Sequence, residues 1–259
     1  MRPAASLLMS NIPPEFLVVI PARLGSTRLP RKPLADIGGK PMVIRVAERA
    51  QQSNAQSVVV ATDSLEIQAA CDEYRIDCLL TSTDHITGTD RIAEVAQLLK
   101  LRSDTLVVNV QGDEPLMPPE LINQVAQTLA DNTACAISTV AVPIKDISEI
   151  TNPNVVKVVL NKTGEALYFS RAGIPFIRDL ESDQGMAHLR HLGIYAYRAD
   201  FLQSYIRLEP APPEQAEALE QLRALWNGYR IAVYTASEAP QAGVDTAEDL
   251  ERVRRILAN

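Results

Sequence analysis

Short apolar runs alternate with amphipathic stretches along the first half of the chain. Phe16-Leu17-Val18-Val19-Ile20 is continuous and rich in β-branched residues, the pattern of a strand buried on both faces. Ser57-Val58-Val59-Val60-Ala61, Asp77-Cys78-Leu79-Leu80, Thr105 to Val110 and Ala134 to Val142 repeat that pattern. Between these runs the period changes. Residues 64–74 read as a helix, and from Thr89 to Leu101 the residues Ile92, Val95, Ala96 and Leu99 recur at helical spacing. Leu121, Ile122, Val125 and Leu129 do the same across 118–131. Such alternation predicts an α/β fold, with a mostly parallel sheet, helices on both faces and right-handed crossovers.

The pattern loosens after Pro143. Val155 to Leu160, Ala166 to Phe169 and Leu192 to Tyr197 read as strands without full helices between them. They predict a smaller mixed or antiparallel portion covering the mouth of the first half. Residues 214–227, after Pro212-Pro213, predict one helix, Arg230 to Thr235 a last strand, and Thr246 to Leu257 a last helix with Leu250, Val253 and Leu257 on one face. There is no internal repeat and no polar linker long enough to separate two domains. Residues 16–259 therefore read as one α/β domain with a first half, 16–142, and a second half, 143–259. The segment 1–15 matches neither half and is expected to be a disordered extension; its apolar patch Leu7-Leu8-Met9 is too short for a signal peptide.

Composition narrows the function. Of 259 residues, 46% are hydrophobic and 22% charged, so a sizeable core is available. Net charge is -7 and the pI about 5.1, which argues against nucleic acid as a partner. No apolar run approaches the roughly 20 residues of a membrane-spanning helix, so no membrane partner is expected. Three cysteines, Cys71, Cys78 and Cys135, are too few and too irregular for a disulfide framework or a zinc site. They read as small buried hydrophobes in a reduced, cytoplasmic protein.

Against this acidic background one loop is basic. Between Pro21 and Lys40 lie Arg23, Arg28, Arg31, Lys32 and Lys40 against a single acid, Asp36. The loop follows the first strand, and ligands of open parallel sheets bind beyond the carboxyl ends of the strands. A solvated basic turn is the plain alternative, but such a turn has no need of Gly25, Ser26, Thr27 and framing prolines. Gln111-Gly112-Asp113-Glu114-Pro115 follows another strand, and Gly243-Val244-Asp245-Thr246 follows the last. Asp113 alone could serve its own turn, and Asp245 alone could cap the last helix with Thr246 and Asp249. Together, facing the basic loop, two carboxylates can hold Mg²⁺ while the loop holds phosphates.

Pro21-Ala22-Arg23, Ser26-x-Arg28-Leu29-Pro30-x-Lys32-Pro33-Leu34 and Val110-Gln111-Gly112-Asp113-Glu114-Pro115 resemble the sugar-activating cytidylyltransferases. The likeness continues in order through Gly88-Thr89-Asp90-Arg91, Ala166-Leu167-Tyr168-Phe169-Ser170-Arg171, Arg190-His191-Leu192-Gly193-Ile194-Tyr195, Leu219-Glu220-Gln221-Leu222-Arg223 and Gly243-Val244-Asp245-Thr246, about residues 16 to 257. It implies a Rossmann-like sheet of the nucleotide-diphospho-sugar transferase type, with 16–142 as the nucleotide half and 143–259 as the sugar and dimerisation half. It implies transfer of CMP from CTP to the anomeric hydroxyl of 3-deoxy-manno-octulosonate (Kdo), releasing pyrophosphate, with Mg²⁺ and in a homodimer.

The same resemblance assigns Arg23 and Lys32 to the triphosphate, assisted by Arg28, and Asp113 and Asp245 to the metal, so that Arg23, Lys32 and Asp113 are the catalytic set. Ala22, Thr87, Gly88 and Thr89 would meet the nucleoside through backbone and helix-end amides. In the sugar pocket Arg171 and Arg178 are candidates for a carboxylate or a phosphate, and Gln111, His191, Tyr195, Glu220 and Gln221 for the sugar's hydroxyls. On an unbroken helix, adjacent Glu220 and Gln221 point about 100° apart, which favours Gln221 of the two. Trp226 reads as core. Arg31 stands where the family usually has Gly, so its backbone is either ordinary or strained; Arg31→Gly is expected to keep activity. Residues 179–187 read as a mobile flap. A cytidylyltransferase for 8-amino-Kdo or sialic acid shares these features. A non-catalytic nucleotide binder would be expected to lack Lys32 or a metal aspartate. A hexose-1-phosphate nucleotidylyltransferase would have a more glycine-rich first loop.

Overall fold

The computed structural model describes residues 13–25, 29–85, 87–178 and 187–258. The expectations for segment 1–15 (all but residues 13–15), for Ser26, Thr27 and Arg28, and for the flap at 179–187 (all but Ala187) fall outside the described residues.

The chain opens with β1 (Phe16–Ala22), then a 3-10 turn at Lys32–Leu34, α1 (Met42–Ala50), β2 (Ser57–Thr62), α2 (Leu65–Tyr74), β3 (Asp77–Leu80), α3 (Gly88–Leu98), β4 (Leu106–Asn109), α4 (Pro119–Asp131) and β5 (Ile137–Pro143). It continues through α5 (Ser148–Thr151), β6 (Lys157–Leu160), β7 (Ala166–Ser170), β8 (Leu189–Arg198), α6 (Ala199–Tyr205), α7 (Pro212–Glu217), α8 (Gln221–Trp226), β9 (Ile231–Thr235) and α9 (Ala247–Ala258). The elements expected in the first half are present, with ends moved by a few residues.

The strands form one sheet in the order β3-β2-β1-β4-β8-β5-β9, with β6 and β7 off this path and β6 pairing one end of β8. β1, β2, β3 and β4 are parallel, and β5 is parallel to β9. The period of two in β1 divides the core. Phe16, Val18 and Ile20 face α1 and α4 with Val43, Ile44, Ile122 and Val125. Leu17 and Val19 face α3 and α6 with Ile92, Val95, Phe201 and Leu202. Both layers are closed, so the strands are apolar along their whole length.

The antiparallel portion expected in the second half is present. Its longest strand, β8, lies in the middle of the sheet, between β4 and β5, and this insertion carries Arg190, His191 and Tyr195 to the ends of the parallel strands. Two other expectations for the second half need correction. The single helix expected over 214–227 is two short ones. Ala218 takes a left-handed backbone (φ 51°) and ends α7; α8 begins at Gln221 with Glu220 as its cap. The two are tied by the buried Glu214 carboxylate, which accepts from Arg223 Nε at 2.8 Å and Nη2 at 2.6 Å. Trp226, expected in the core, is 63% exposed at the end of α8.

Candidate active site

Three loops meet at the carboxyl end of β1 and β4. Gly112 lets the first two touch, since a Cβ there would lie 2.9 Å from the Pro21 carbonyl. Gly243 does the same for the third, where a Cβ would lie 2.8 Å from the Asp113 carbonyl. Val244 N–H donates to that same Asp113 carbonyl at 2.9 Å. The two strand-end aspartates are thus drawn together by backbone contacts that any larger residue at these glycines would push apart.

Lys32 fills the space between them. Its Nζ donates to Asp113 Oδ2 at 2.6 Å, to Asp245 Oδ1 at 3.1 Å and to the Val244 carbonyl at 3.0 Å. Partial burial lowers the Lys32 pKa, but the two carboxylates outweigh it and the net shift is upward, so the ammonium stays charged. The cap of α9 falls to Thr246 and Asp249, as Thr246 Oγ1 accepts the Asp249 N–H at 3.2 Å. Asp249 Oδ2, not Asp245, accepts the N–H groups of Asp245 and Thr246 at the start of α9. Glu114 adds a third acid to this corner. Burial first, then the charges of Asp113 and Asp245, push its carboxyl up to about 7.

Lys32, Asp113 and Asp245 line a cavity of about 600 Å³ with Ala22, Arg23, Thr87, Gly88 and Arg91. Thr87 caps α3 in a capping box with Asp90, which leaves the Gly88 and Thr89 end of the helix facing the loop of β1. Arg91 is buried and structural: its guanidinium pairs with Asp63 Oδ2 at 2.7 Å and with the Thr81 hydroxyl. Arg31 has a left-handed backbone (φ 57°) and turns outward to Glu66, away from Lys32. The position that the family gives to Gly does require a positive φ.

A second cavity of about 380 Å³ adjoins the first, and Pro21, Gly88, Gln111 and Glu220 line both. Its buried lining groups are neutral, while Glu220 and the half-exposed Arg190, which pairs with Glu149 at 3.1 Å, add ionisable side chains to the wall. His191 Nε2 lies 2.9 Å from Thr139 Oγ1, whose single proton has the Ile194 carbonyl at 2.7 Å as its closest acceptor. The imidazole therefore donates through Nε2 and keeps Nδ1 as an acceptor. Burial takes its pKa down to about 3. His191 packs edge-on to Phe169 and beside Tyr195, which stacks on Tyr197. Glu220 accepts from the Thr89 hydroxyl at 2.9 Å, and burial raises its pKa on balance. Gln111 Nε2 donates to the Gly193 carbonyl at 3.2 Å.

The break at Ala218 changes the reading of Glu220 and Gln221. Both line this cavity, because Glu220 caps α8 and is not a residue one helical step before Gln221.

Arg171 and Arg178 line neither cavity. Arg171 donates to the carbonyls of Glu217, Ala218 and Pro153. Two of these acceptors are left over where α7 ends, so Arg171 holds the broken helix together from behind the cavity. Lys157 complements it, with its fully buried ammonium donating to the carbonyls of Asn152, Val155 and Arg171. Arg178 is exposed. Among the residues that sequence reasoning left out, Asn109, Arg190 and Tyr197 line the smaller cavity. For Asn109 a signal existed, because it is the one polar residue in the apolar run from Leu106 to Val110.

Comparison with known proteins agrees with this geometry. The cytidylyltransferase family model matches residues 17–231. A 3-deoxy-manno-octulosonate cytidylyltransferase of Polynucleobacter necessarius subsp. necessarius (strain STIR1) is 82% identical over 95% of this chain and 96% of its own length. That of Polynucleobacter asymbioticus (strain DSM 18221 / CIP 109841 / QLW-P1DMWA-1) is 79% identical over 97% of this chain and its full length. A solved structure of CMP:2-keto-3-deoxy-manno-octonic acid synthetase complexed with CTP superposes with a TM-score of 0.87 at 43% identity, covering 95% of this chain and 99% of that one. The chain belongs to the cytidylyltransferase family.

Proposed function

We propose that this chain transfers CMP from CTP to the anomeric hydroxyl of Kdo and releases pyrophosphate. The observation that carries the proposal is the joined pair of cavities, one ending in the Asp113–Lys32–Asp245 cluster and the other lined by buried neutral hydrogen-bonding groups with Arg190 and Glu220 beside them. The named activity of relatives about 80% identical over nearly the whole chain supports the same substrates.

In this reading Arg23 and Lys32 grip the triphosphate in the larger cavity, with Arg28 assisting. Ala22, Thr87, Gly88 and Thr89 meet the nucleoside. Gln111, His191, Tyr195, Glu220 and Gln221 hold the sugar in the smaller one. Arg171 contributes only through the chain segment it fixes, and Arg178 from the exposed margin. The sugar oxygen attacks the α-phosphorus in line, the α–β anhydride bond breaks, pyrophosphate leaves, and the hydroxyl proton goes to solvent. Such a transfer depends on positioning and charge neutralisation more than on covalent help.

Asp113 and Asp245 fit a divalent cation. Two carboxylates already converge on one cation, the Lys32 ammonium, and Mg²⁺ needs only one or two carboxylates when phosphate oxygens complete its shell. Among the described residues no cluster of three or more metal-ligating side chains forms, which is consistent with a metal that arrives with its nucleotide. When bound, Mg²⁺ would supply charge neutralisation on the phosphates and a lower pKa for the attacking hydroxyl. Lys32 would then turn from the carboxylates to the phosphates.

A homodimer follows from the same reading. Leu167 and Tyr168 on β7 and Trp226 on α8 are exposed on the second half, and sedimentation at micromolar concentration tests whether they are covered. A cytoplasmic location follows from the use of CTP. It accords with free cysteines and with the lack, among the described residues, of a helix long and apolar enough to cross a membrane. The test of function is pyrophosphate release from a panel of nucleotides and sugar acids with and without Mg²⁺. CTP with Kdo and Mg²⁺ should be the productive combination. Faster release with sialic acid or 8-amino-Kdo, or none with Kdo, would overturn the assignment.

A further inference from the structure

Buried polar atoms in folded proteins nearly always have a hydrogen-bond partner, because an orphan has given up its water and gained nothing in return. Among the described residues two buried side-chain atoms lack one, Asn109 Oδ1 and Gln221 Nε2. Both residues are 7% exposed, and both line the smaller cavity. They come from unrelated places, the end of β4 and the start of α8. One is an acceptor and the other a donor.

We infer that Asn109 is a sugar-binding residue, whose Oδ1 accepts a hydrogen bond from a substrate hydroxyl while Gln221 Nε2 donates to another oxygen of the same molecule. The inference deepens the proposed function and rests on it. Asn109 is fixed for this task. Its backbone sits in the ladder opposite Val19 on one side and Tyr195 on the other. Its side chain interacts with the Tyr197 hydroxyl, which also meets Thr89. A strand side chain held at both neighbours cannot swing away to find water. Its carbonyl oxygen is therefore complementary to a donor delivered from the cavity. The pairing also selects for chemistry. A buried acceptor and a buried donor on one cavity match the hydroxyls of a sugar, which both donate and accept, whereas an apolar ligand would leave both orphans in place.

The test pairs a protein change with a ligand change. Asn109→Leu is close to isosteric and removes the acceptor, and Asn109→Ala, which cannot clash, serves if the leucine variant does not fold. Pyrophosphate release is measured with Kdo and with each single-deoxy analogue of Kdo, at saturating CTP, and then with CTP varied. For the wild type one deoxy analogue should show a sugar KM raised about tenfold or more, the size of one lost hydrogen bond to a buried partner. In the Asn109 variant the KM for Kdo itself should rise to a similar degree, the penalty for that one analogue should disappear, and the KM for CTP should stay within about twofold. A general packing defect would raise KM for all analogues alike and leave every deoxy penalty in place. That outcome overturns the inference, as does an unchanged KM for Kdo. Failure of the proposed function looks different, because the wild type would then release no pyrophosphate with CTP and Kdo.

Discussion

The two adjoining cavities use opposite electrostatics. At the larger one the acids stand on loops, and the Lys32 ammonium, kept charged by them, bridges Asp113 and Asp245. At the smaller one the buried groups are neutral, an imidazole held near pKa 3, stacked phenols and two unpaired amide atoms, beside the half-exposed Arg190. The difference fits the ligands proposed for each. A polyphosphate brings charge and must meet mobile countercharge that can be re-partnered. A sugar brings hydroxyls and must meet fixed donors and acceptors whose desolvation is already settled.

The largest effects should come from the charged end. Asp113→Asn and Asp245→Asn each remove a carboxylate from the point where Lys32 now sits, and Lys32→Ala removes the cation. Each should lower kcat by about 10²- to 10³-fold, the scale of losing one preorganised electrostatic group. The KM for Kdo should hold within a few-fold. Full CTP consumption by the double aspartate variant would break the comparison, because the charged cluster would then have no part in the chemistry.

At the neutral end the effect should be smaller and fall on binding. Gln221→Leu removes the unpaired donor, and the sugar KM should rise about tenfold with CTP unaffected. His191 sharpens the point. With its pKa near 3 it stays neutral from pH 5 to 9, so no limb near pH 6.5 in kcat/KM for the sugar belongs to it. His191→Gln should keep the shape of the pH profile while lowering its height. A limb near 6.5 that vanishes in this variant would show that His191 titrates.

How far the two ends could be read in the sequence also differs. The charged end was legible because its residues follow strands whose apolar runs are unambiguous, whereas the loop contacts that Gly112 and Gly243 permit emerge only in the fold. The neutral end was legible in its motifs but not in its geometry. Nothing in the periodicity of β8 says that it enters the middle of the sheet, since antiparallel and parallel strands share the same apolar pattern there. The helix over 214–227 has good helical residues throughout. Its break is imposed by tertiary contacts, with Arg171 taking the carbonyls at Glu217 and Ala218 and Arg223 binding Glu214. Arg171 was accordingly expected at the sugar, yet it serves as a clamp. Asn109 was passed over because one polar residue in a strand weighs little until its surroundings are known.

Glu114 tests the crowding of acids at the charged end. Its carboxyl is raised to about 7 by burial and by Asp113 and Asp245. The folded state therefore binds more protons than the unfolded state between about pH 4.5 and 7. Stability falls as pH rises through that window, and above it the full penalty is present. Glu114→Gln should raise Tm at pH 8 and change it little at pH 4, in metal-free protein followed by circular dichroism. An equal shift at both pH values would mean that Glu114 is not held protonated.

The smallest effect is expected at Arg31, which lies at the charged end by sequence but outside it by geometry. Its side chain pairs with Glu66 at the surface, and Lys32, its neighbour, is the residue that reaches the aspartates. Its backbone is left-handed, which Gly adopts without the crowding an L side chain meets. Arg31→Gly relieves that crowding but gives the unfolded chain more freedom and removes a solvent-screened ion pair, and these changes oppose one another. Tm should therefore move by no more than about 3 °C, and kcat and both KM values should stay within about twofold. A tenfold rise in the KM for CTP, with Tm unchanged, would show that Arg31 leaves Glu66 for the triphosphate, and the boundary drawn here between the cluster and its surroundings would have to include it.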